Sequence, residues 1–311
     1  MSNNMNIPNG LQPLKKEDRE ANRPYTVGSL FAVKAEIPET YRNLTSPLEV
    51  FNQAIAEGAN DECAGCASAT VSEAQEGVPL DPHFHWMLAR QRAGMKEKDF
   101  GCNIRDIAMT LVKAGSLEKT QSPFTFDRGR NFIQNPANWD IAGLLKKSVL
   151  HKKGSVVWVK PENGMDAYDV YRSSVVKFDA LYKKPHGAIL GIVWGYGFEE
   201  YLREVVENGS GHAIAVIGGW DGDYALMQNS YGKEVGKDGI QRIHRSIINK
   251  WAEIYGMAIP IDATQDEIRW AVENGVKLDG NWLLNIVIAL LNFAKDLLAQ
   301  LKQKTYGIFT R

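Results

Sequence analysis

The most informative local pattern in this chain is a predicted β-hairpin that carries a histidine and an asparagine. Two apolar runs flank Asp221-Gly222, a turn signal that predicts positive φ at both central positions. In one strand register His212 and Asn229 lie directly opposite, and in another they are diagonal on the same face. A histidine held at one ring nitrogen by an uncharged amide is suited to general acid and base chemistry. A structural hydrogen bond between the strands is the alternative.

A second candidate for chemistry is Cys66, at the predicted start of a helix rich in Ala, Ser and Thr. Unpaired backbone N–H groups and the helix dipole favour an anion there, so we expect a lowered thiol pKa and a reactive thiolate. The pair Cys63-x-x-Cys66 also fits half a zinc site, a redox pair or no function. No second pair of ligands stands at zinc-finger spacing, and no strand signal precedes the pair as in a thioredoxin-like fold.

The secondary-structure elements that must position these side chains change from helices to strands along the chain. The periodicity of apolar residues predicts helices first and strands afterwards. This order favours an α+β fold of two lobes in one unit. A capping box at Ser46–Glu49 and a stop at Gly58 predict a first helix. The further predicted helices are 66–76, 82–93 and 104–114, and the predicted strands are 155–159, 187–194, 212–217 and 224–227.

Together these segments resemble the papain-like cysteine peptidases over residues 37–262. The block from Asn229 to Ile243 follows the family pattern Asn-Ser-Trp-Gly…Trp-Gly-x-x-Gly-Tyr-x-Arg-Ile almost position for position. His212 follows Cys66 within the expected window of roughly 130–150 residues, and Asn229 falls just beyond it. The other matching segments are Ile37-Pro-Glu, Asn60-Asp-Glu-Cys-Ala-Gly-Cys66-Ala, Phe100-Gly-Cys-Asn103 and Gly211-His212-Ala-Ile-Ala-Val-Ile-Gly218.

The resemblance implies a two-lobed fold, with the nucleophile helix in a helical left lobe and an antiparallel β right lobe. It implies Cys66 as the nucleophile, His212 as general acid and base, and Asn229 as the residue that orients the imidazole. The backbone N–H of Cys66 and the side chain of Asn60 would form the oxyanion hole. Tyr231 would shield the Asn–His hydrogen bond. The implied activity is hydrolysis of a peptide or protein substrate through an acyl-enzyme, with a thiolate–imidazolium pair.

Several positions depart from the family pattern. Asn60 is one methylene shorter than the usual Gln, and Ala67 replaces a Trp. Ile104 and Arg105 stand where two glycines normally admit the substrate backbone, so their side chains would crowd the cleft. These departures keep an alternative open, a papain-fold binding or structural module with weak or no turnover.

Cys63 and Cys102 resemble the disulfide pair of the family, and two free thiols are the alternative. The N-terminal region has no basic start followed by an apolar segment, so no secretory signal is predicted. We therefore expect a cytoplasmic protein when synthesised, in which thiols stay reduced. Release by lysis or packaging into a particle would still be compatible with this sequence.

Composition restricts the partners. The 36 Lys+Arg against 37 Asp+Glu give a net charge of -1, which argues against a nucleic-acid surface. His83 and His85 are the two residues that most resemble a pair of metal ligands. Their side chains would point apart on a helix, so we expect no metal site. No cofactor is implied.

Two extensions flank the predicted peptidase domain 37–262. Residues 1–36 form an N-terminal extension that could cover the cleft. Residues 263–311 form a helical C-terminal extension, in which 282–301 is strongly apolar. We expect that helix to contact a protein partner or a second copy. Asn285 and Asn292 interrupt the apolar run, which argues against a membrane span. Contact with a membrane interface is the less favoured alternative.

Overall fold

Helices dominate the first half of the described chain, and strands the second. The computed structural model describes residues 11, 37–42, 49–53, 61–95, 101–124, 135, 138–162 and 164–262. The main helices are α1 Cys63–Glu76, α2 Pro82–Arg92, α3 Ile104–Lys113, α4 Ile141–Ser148, α5 Ala167–Tyr182 and α6 Arg245–Ile254. The strands are β1 Thr40–Arg42, β2 Ser155–Trp158, β3 Ala188–Trp194, β4 Tyr201–Leu202, β5 Ser210–Asp221, β6 Tyr224–Gln228, β7 Ile240–His244 and β8 Met257–Ile261.

Side-chain caps and a glycine explain several helix ends. The Asp81 carboxylate accepts the His83 N–H at 2.7 Å and caps α2. The Asn103 side chain accepts the Asp106 N–H at 2.8 Å and caps α3. Helix α1 ends at Gly77, whose φ of 73° is easy only for glycine. The predicted starts of α2 and α3 are confirmed.

One sheet collects all eight strands. Its order is β2-β8-β3-β5-β6-β7-β4, with β1 paired to β5. Every pair is antiparallel except β4 with β7. The predicted α+β class is confirmed, and the four predicted strands correspond to β2, β3, β5 and β6. Helices α4, α5 and α6 were not predicted, although Asp166 supplies a regular N-cap for α5. The helix predicted between Ser46 and Gly58 is not found at 49–53, the part of that segment that the structure describes, because its backbone pairs with the loop at Ser230 instead.

The hairpin that carries the histidine turns one residue later than predicted. Asp221 pairs with Tyr224, so Gly222 and Asp223 form the loop. Of these two loop residues only Gly222 has a positive φ, 56°. The predicted Asp221-Gly222 loop is therefore wrong by one position, because a register shift within the hairpin lengthens β5.

Most of both extensions lies outside the described residues. This holds for 263–311, with its predicted docking helix 282–301, and for 1–36 except Leu11. The chain divides into two units, Met1–Gln265 and Asp266–Arg311. Within the part of the chain that the structure describes, no helix combines the length and apolarity needed to cross a membrane.

Candidate active site

The predicted contact between His212 on β5 and Asn229 beyond β6 is present. Ala215 lies opposite Gln228, and continuing that register makes His212 and Asn229 diagonal neighbours on one face. The Nε2 atom of His212 lies 3.0 Å from Oδ1 of Asn229. Both side chains are buried. Of the two registers considered from the sequence, the structure has the diagonal one.

A chain of hydrogen bonds fixes which imidazole nitrogen carries the proton. The backbone N–H of Ser230 donates to Asn229 Oδ1 at 2.7 Å, and Asn229 Nδ2 donates to Gln241 Oε1 at 3.1 Å. Gln241 Nε2 in turn donates to the carbonyl oxygen of Glu199 at 2.7 Å. A carbonyl can only accept and a backbone N–H can only donate, so both amides have one orientation. His212 therefore donates from Nε2, and Nδ1 of the neutral ring is an acceptor.

Gln241 was not among the predicted site residues. It shares the buried face of β7 with Ile243. A polar residue at an inward position of an apolar strand needs a hydrogen-bond partner. The alternation of inward and outward residues along β7 is the sequence signal that points to Gln241 as a buried polar residue.

The ring of Tyr231, predicted to shield the Asn–His hydrogen bond, covers the imidazole itself. Its ring is stacked on that of His212, with centroids 4.9 Å apart and planes 9° from parallel. Its hydroxyl lies 3.4 Å from Nδ1 of His212. The side chain of Gln53 hydrogen-bonds the same hydroxyl. Tyr231 thus contacts the nitrogen that faces away from Asn229.

Cys66 lies one turn further into its helix than predicted. Helix α1 begins at Cys63, and the N–H of Cys66 donates to the carbonyl oxygen of Glu62 at 2.9 Å. This N–H is the predicted oxyanion donor, and in the structure it is engaged within the helix. The Cys66 side chain is 1% exposed and packs with Phe51 and Leu80.

Cys63 connects helix α1 to β5, the strand of His212. Its sulfur accepts a hydrogen bond from the backbone N–H of Ala213, the residue after His212. Helix α1 also packs along β5. Because Cys66 follows Cys63 by three residues, both side chains lie on the same side of α1. This packing places helix α1, which carries both cysteines, along β5, the strand of His212.

The segment 49–53 closes the other side of the site. Gln53 donates its N–H to the carbonyl oxygen of Ser230 at 2.9 Å, and Gly232 donates to that of Phe51 at 2.9 Å. Phe51 therefore reaches from the Cys66 cluster to the loop beside Asn229. Gln53, another buried residue that was not predicted, is held next to Tyr231 by this pairing.

Burial favours the neutral forms of both Cys66 and His212. Desolvation, with the nearby Glu62 carboxyl adding to it, raises the pKa of the Cys66 thiol well above its ordinary value. Desolvation also lowers the pKa of His212 to about 4, although the bond to Asn229 opposes it. The lowered thiol pKa expected from the sequence is thus not found, because complete burial outweighs the helix dipole.

Of the two alternatives for Cys63 and Cys102, a disulfide or two free thiols, the structure has the free thiols. Cys63 and Cys102 are both buried free thiols, so the disulfide implied by the resemblance is absent. Burial raises the pKa of Cys63 to about 12 and that of Cys102 well above its ordinary value. Both are therefore protonated and poorly reactive at neutral pH.

Leu11 lies between Gly211, the residue before His212, and Cys102, and we call this position the groove. Its N–H donates to the carbonyl oxygen of Gly211 at 3.1 Å, and it bridges to Cys102 on the other side. Leu11 is 5% exposed and belongs to the same apolar cluster as Ile104. A Cβ atom on Gly191 would lie 2.6 Å from Leu11 Cδ2. This leucine from the N-terminal extension therefore fills space that the glycine leaves open.

The remaining predicted cleft positions differ from one another. Ile104, predicted to crowd the cleft, is fully buried at the start of α3, and Arg105 is half-buried. Asn60, the predicted oxyanion donor, lies outside the described residues.

The two histidines considered as a metal pair have separate partners. His83 pairs with the Glu62 carboxylate. His85 lies 2.8 Å from the Ser68 hydroxyl. The described residues contain no cluster of three or more groups that could hold a metal ion.

Known proteins share this architecture at low sequence identity. No family model and no curated protein matches the chain. Xylellain, a cysteine protease from Xylella fastidiosa, matches with a TM-score of 0.57 and 18% identity, over 76% of this chain and 88% of its own. The fold is that of the papain-like cysteine proteases. Digestive procathepsin L 3 of Tenebrio molitor shares the papain-like fold with a TM-score of 0.50 and 15% identity, over 80% of this chain and 79% of its own.

Proposed function

We propose that this protein is a cysteine peptidase in which Cys66 is the nucleophile and His212 the general acid and base. Asn229 orients the imidazole. The observation that carries the proposal is the buried 3.0 Å contact of His212 Nε2 with Asn229 Oδ1, on the strand against which the Cys66 helix packs. A held imidazole beside a thiol is the arrangement that nucleophilic acyl transfer needs.

The reaction follows from the direction of these hydrogen bonds. The Cys66 proton passes to Nδ1 of His212 as the sulfur attacks the substrate carbonyl carbon. When the C–N bond breaks, His212 returns that proton to the leaving amine and a thioester remains. Water then attacks the thioester with His212 as base. Because burial keeps both groups neutral, the thiolate–imidazolium pair forms on attack or after the cleft admits water and substrate.

Two side-chain amides are candidates for the oxyanion donor. The resemblance points to Asn60. The contacts favour Gln53, which is buried and hydrogen-bonded to the Tyr231 hydroxyl beside His212. An amide donor held near the reacting carbonyl can stabilise the negative oxygen of the tetrahedral intermediate.

A peptide-library cleavage assay tests the proposal. We expect the wild-type chain to hydrolyse a subset of peptides and to be labelled at Cys66 by an epoxide inhibitor. Cys66→Ala should do neither, and Cys63→Ala, which changes a neighbouring buried thiol, should keep both. Equal cleavage by wild type and Cys66→Ala would contradict the assignment.

A binding or structural module is the second candidate. It is favoured by the engaged N–H of Cys66 and by the raised pKa of its thiol, since neither helps turnover. In the library assay such a module would retain peptides on both wild type and Cys66→Ala and cleave none.

Leu11 should limit access of the substrate to this site. Leu11→Asp places a charge in an apolar cluster, so we expect the side chain to leave the groove. Full burial of a leucine is worth roughly 1.5–3 kcal/mol, so the apparent KM should fall by about 10-fold or more while kcat is unchanged. Leu150→Asp is the control, because Leu150 is 73% exposed. Steady-state kinetics with one cleaved peptide measures both, and an unchanged KM would show that Leu11 does not obstruct binding.

A further inference from the structure

Only one imidazole nitrogen of His212 is available to the thiol. Nε2 is committed to Asn229, whose orientation the bonds to Ser230 and Gln241 determine. The Cys66 proton must therefore go to Nδ1. That nitrogen is already contacted by the Tyr231 hydroxyl at 3.4 Å.

The hydrogen bonds of the tyrosine determine how this contact is made. The amide of Gln53 donates to the Tyr231 oxygen, which leaves the hydroxyl hydrogen directed to an acceptor. Nδ1 of the neutral imidazole is such an acceptor. At 3.4 Å the contact is long, so a competing group can displace it.

We propose that Tyr231 is a positioning residue whose hydroxyl competes with the Cys66 thiol for Nδ1 of His212, and this inference rests on the proposed function. While the hydroxyl occupies Nδ1, the imidazole cannot take the thiol proton. Movement of Tyr231 when substrate enters makes Nδ1 available. The chain would thus rest in an unreactive state without any change at Cys66 itself.

Among the described residues, few groups other than Tyr231 lie where they can control the availability of Nδ1 of His212. The ionisable neighbours of Tyr231 across the site are Cys63 and Cys66 on α1. In the described ranges of the chain, the other ring packed on His212 is that of Trp194 on β3, with centroids 5.2 Å apart, and it does not titrate. The hydroxyl of Tyr231 can therefore be removed without altering a charged partner of the imidazole.

The test is the alkylation rate of Cys66 by iodoacetamide in the full chain, measured by peptide mapping. Tyr231→Phe keeps the stacked ring and removes the hydroxyl. We expect its Cys66 to react about 3- to 10-fold faster near neutral pH, the effect of losing one ordinary hydrogen bond. Tyr231→Trp, which also lacks the hydroxyl, is the second variant, and thermal unfolding checks that each variant folds.

A second readout separates this role from simple packing. The imidazole nitrogens of His212 are titrated by ¹⁵N NMR. A donor to Nδ1 favours the neutral ring, so the midpoint should rise from its low wild-type value in Tyr231→Phe. A merely structural tyrosine would leave that midpoint unchanged.

Tyr196→Phe is the matched control. The Tyr196 hydroxyl donates to the carbonyl oxygen of Glu204 at 2.9 Å, and its ring contacts Trp194. We expect neither the alkylation rate nor the His212 midpoint to change. An unchanged rate in Tyr231→Phe, or an equal increase in the control, would overturn the inference. Neither measurement requires turnover, so a failure of the proposed peptidase activity would be seen separately, in the cleavage assay.

Discussion

Replacing Cys66 or His212 with alanine is expected to lower kcat for peptide hydrolysis by about 10⁶-fold, the loss found when a nucleophile or its base is removed. The two residues share one proton, so either substitution removes the same step. The double variant should therefore be no slower than the single ones. Residual hydrolysis in all three would come from binding and from the oxyanion donor.

The measurement is kcat for one peptide identified in the library assay, with circular dichroism to confirm folding. Cys63→Ala and His85→Gln are matched controls, because each alters a buried residue of the same type outside the proposed reaction. We expect both to keep kcat within a few-fold of wild type, on the scale of ordinary packing changes. Losses that multiply in the double variant would mean that Cys66 and His212 act in separate steps.

The second large effect is expected at Gln53. Gln53→Ala should lower kcat by about 10²- to 10³-fold with little change in KM, because an oxyanion donor acts mainly in the transition state. Asn60→Ala should cost much less. Gln53 is favoured because its buried amide already lies beside the Tyr231–His212 pair.

Gln228→Ala is the control for this comparison. Gln228 is also buried, and its amide donates to the carbonyl oxygen of Glu49 at 2.7 Å. Its removal should affect unfolding more than kcat. The reverse order, with Asn60→Ala the more damaging of the two candidates, would assign the donor to Asn60 and leave Gln53 a structural role.

The parts of the site that the sequence predicted are those that depend on local pairing. His212 and Asn229 lie on a short hairpin, where strand alternation limits the relative positions to a few. A loop displaced by one residue changes the pairing by two residues and so keeps both side chains on the same face. The register shift in the hairpin then restores their diagonal contact. The Ala-rich helix after Cys66 was equally visible.

The parts that were missed depend on contacts between distant segments. Gln53 reaches the site through pairing with Ser230, which no spacing relative to Cys66 indicates. The protonation of Cys66 depends on burial, and burial is a property of the folded chain. The position of Leu11 beside Gly211 likewise has no local signal.

The attachment of Leu11 to the same chain as its groove has a consequence for any measurement of affinity. A tethered occupant has an effective concentration that dilution does not alter. A peptide or inhibitor then binds only the fraction of molecules whose groove is vacant, so its apparent Kd is the intrinsic Kd divided by that fraction. Potency measured on the full chain will therefore understate how well a ligand fits the groove, by the same factor for every ligand that must displace this leucine.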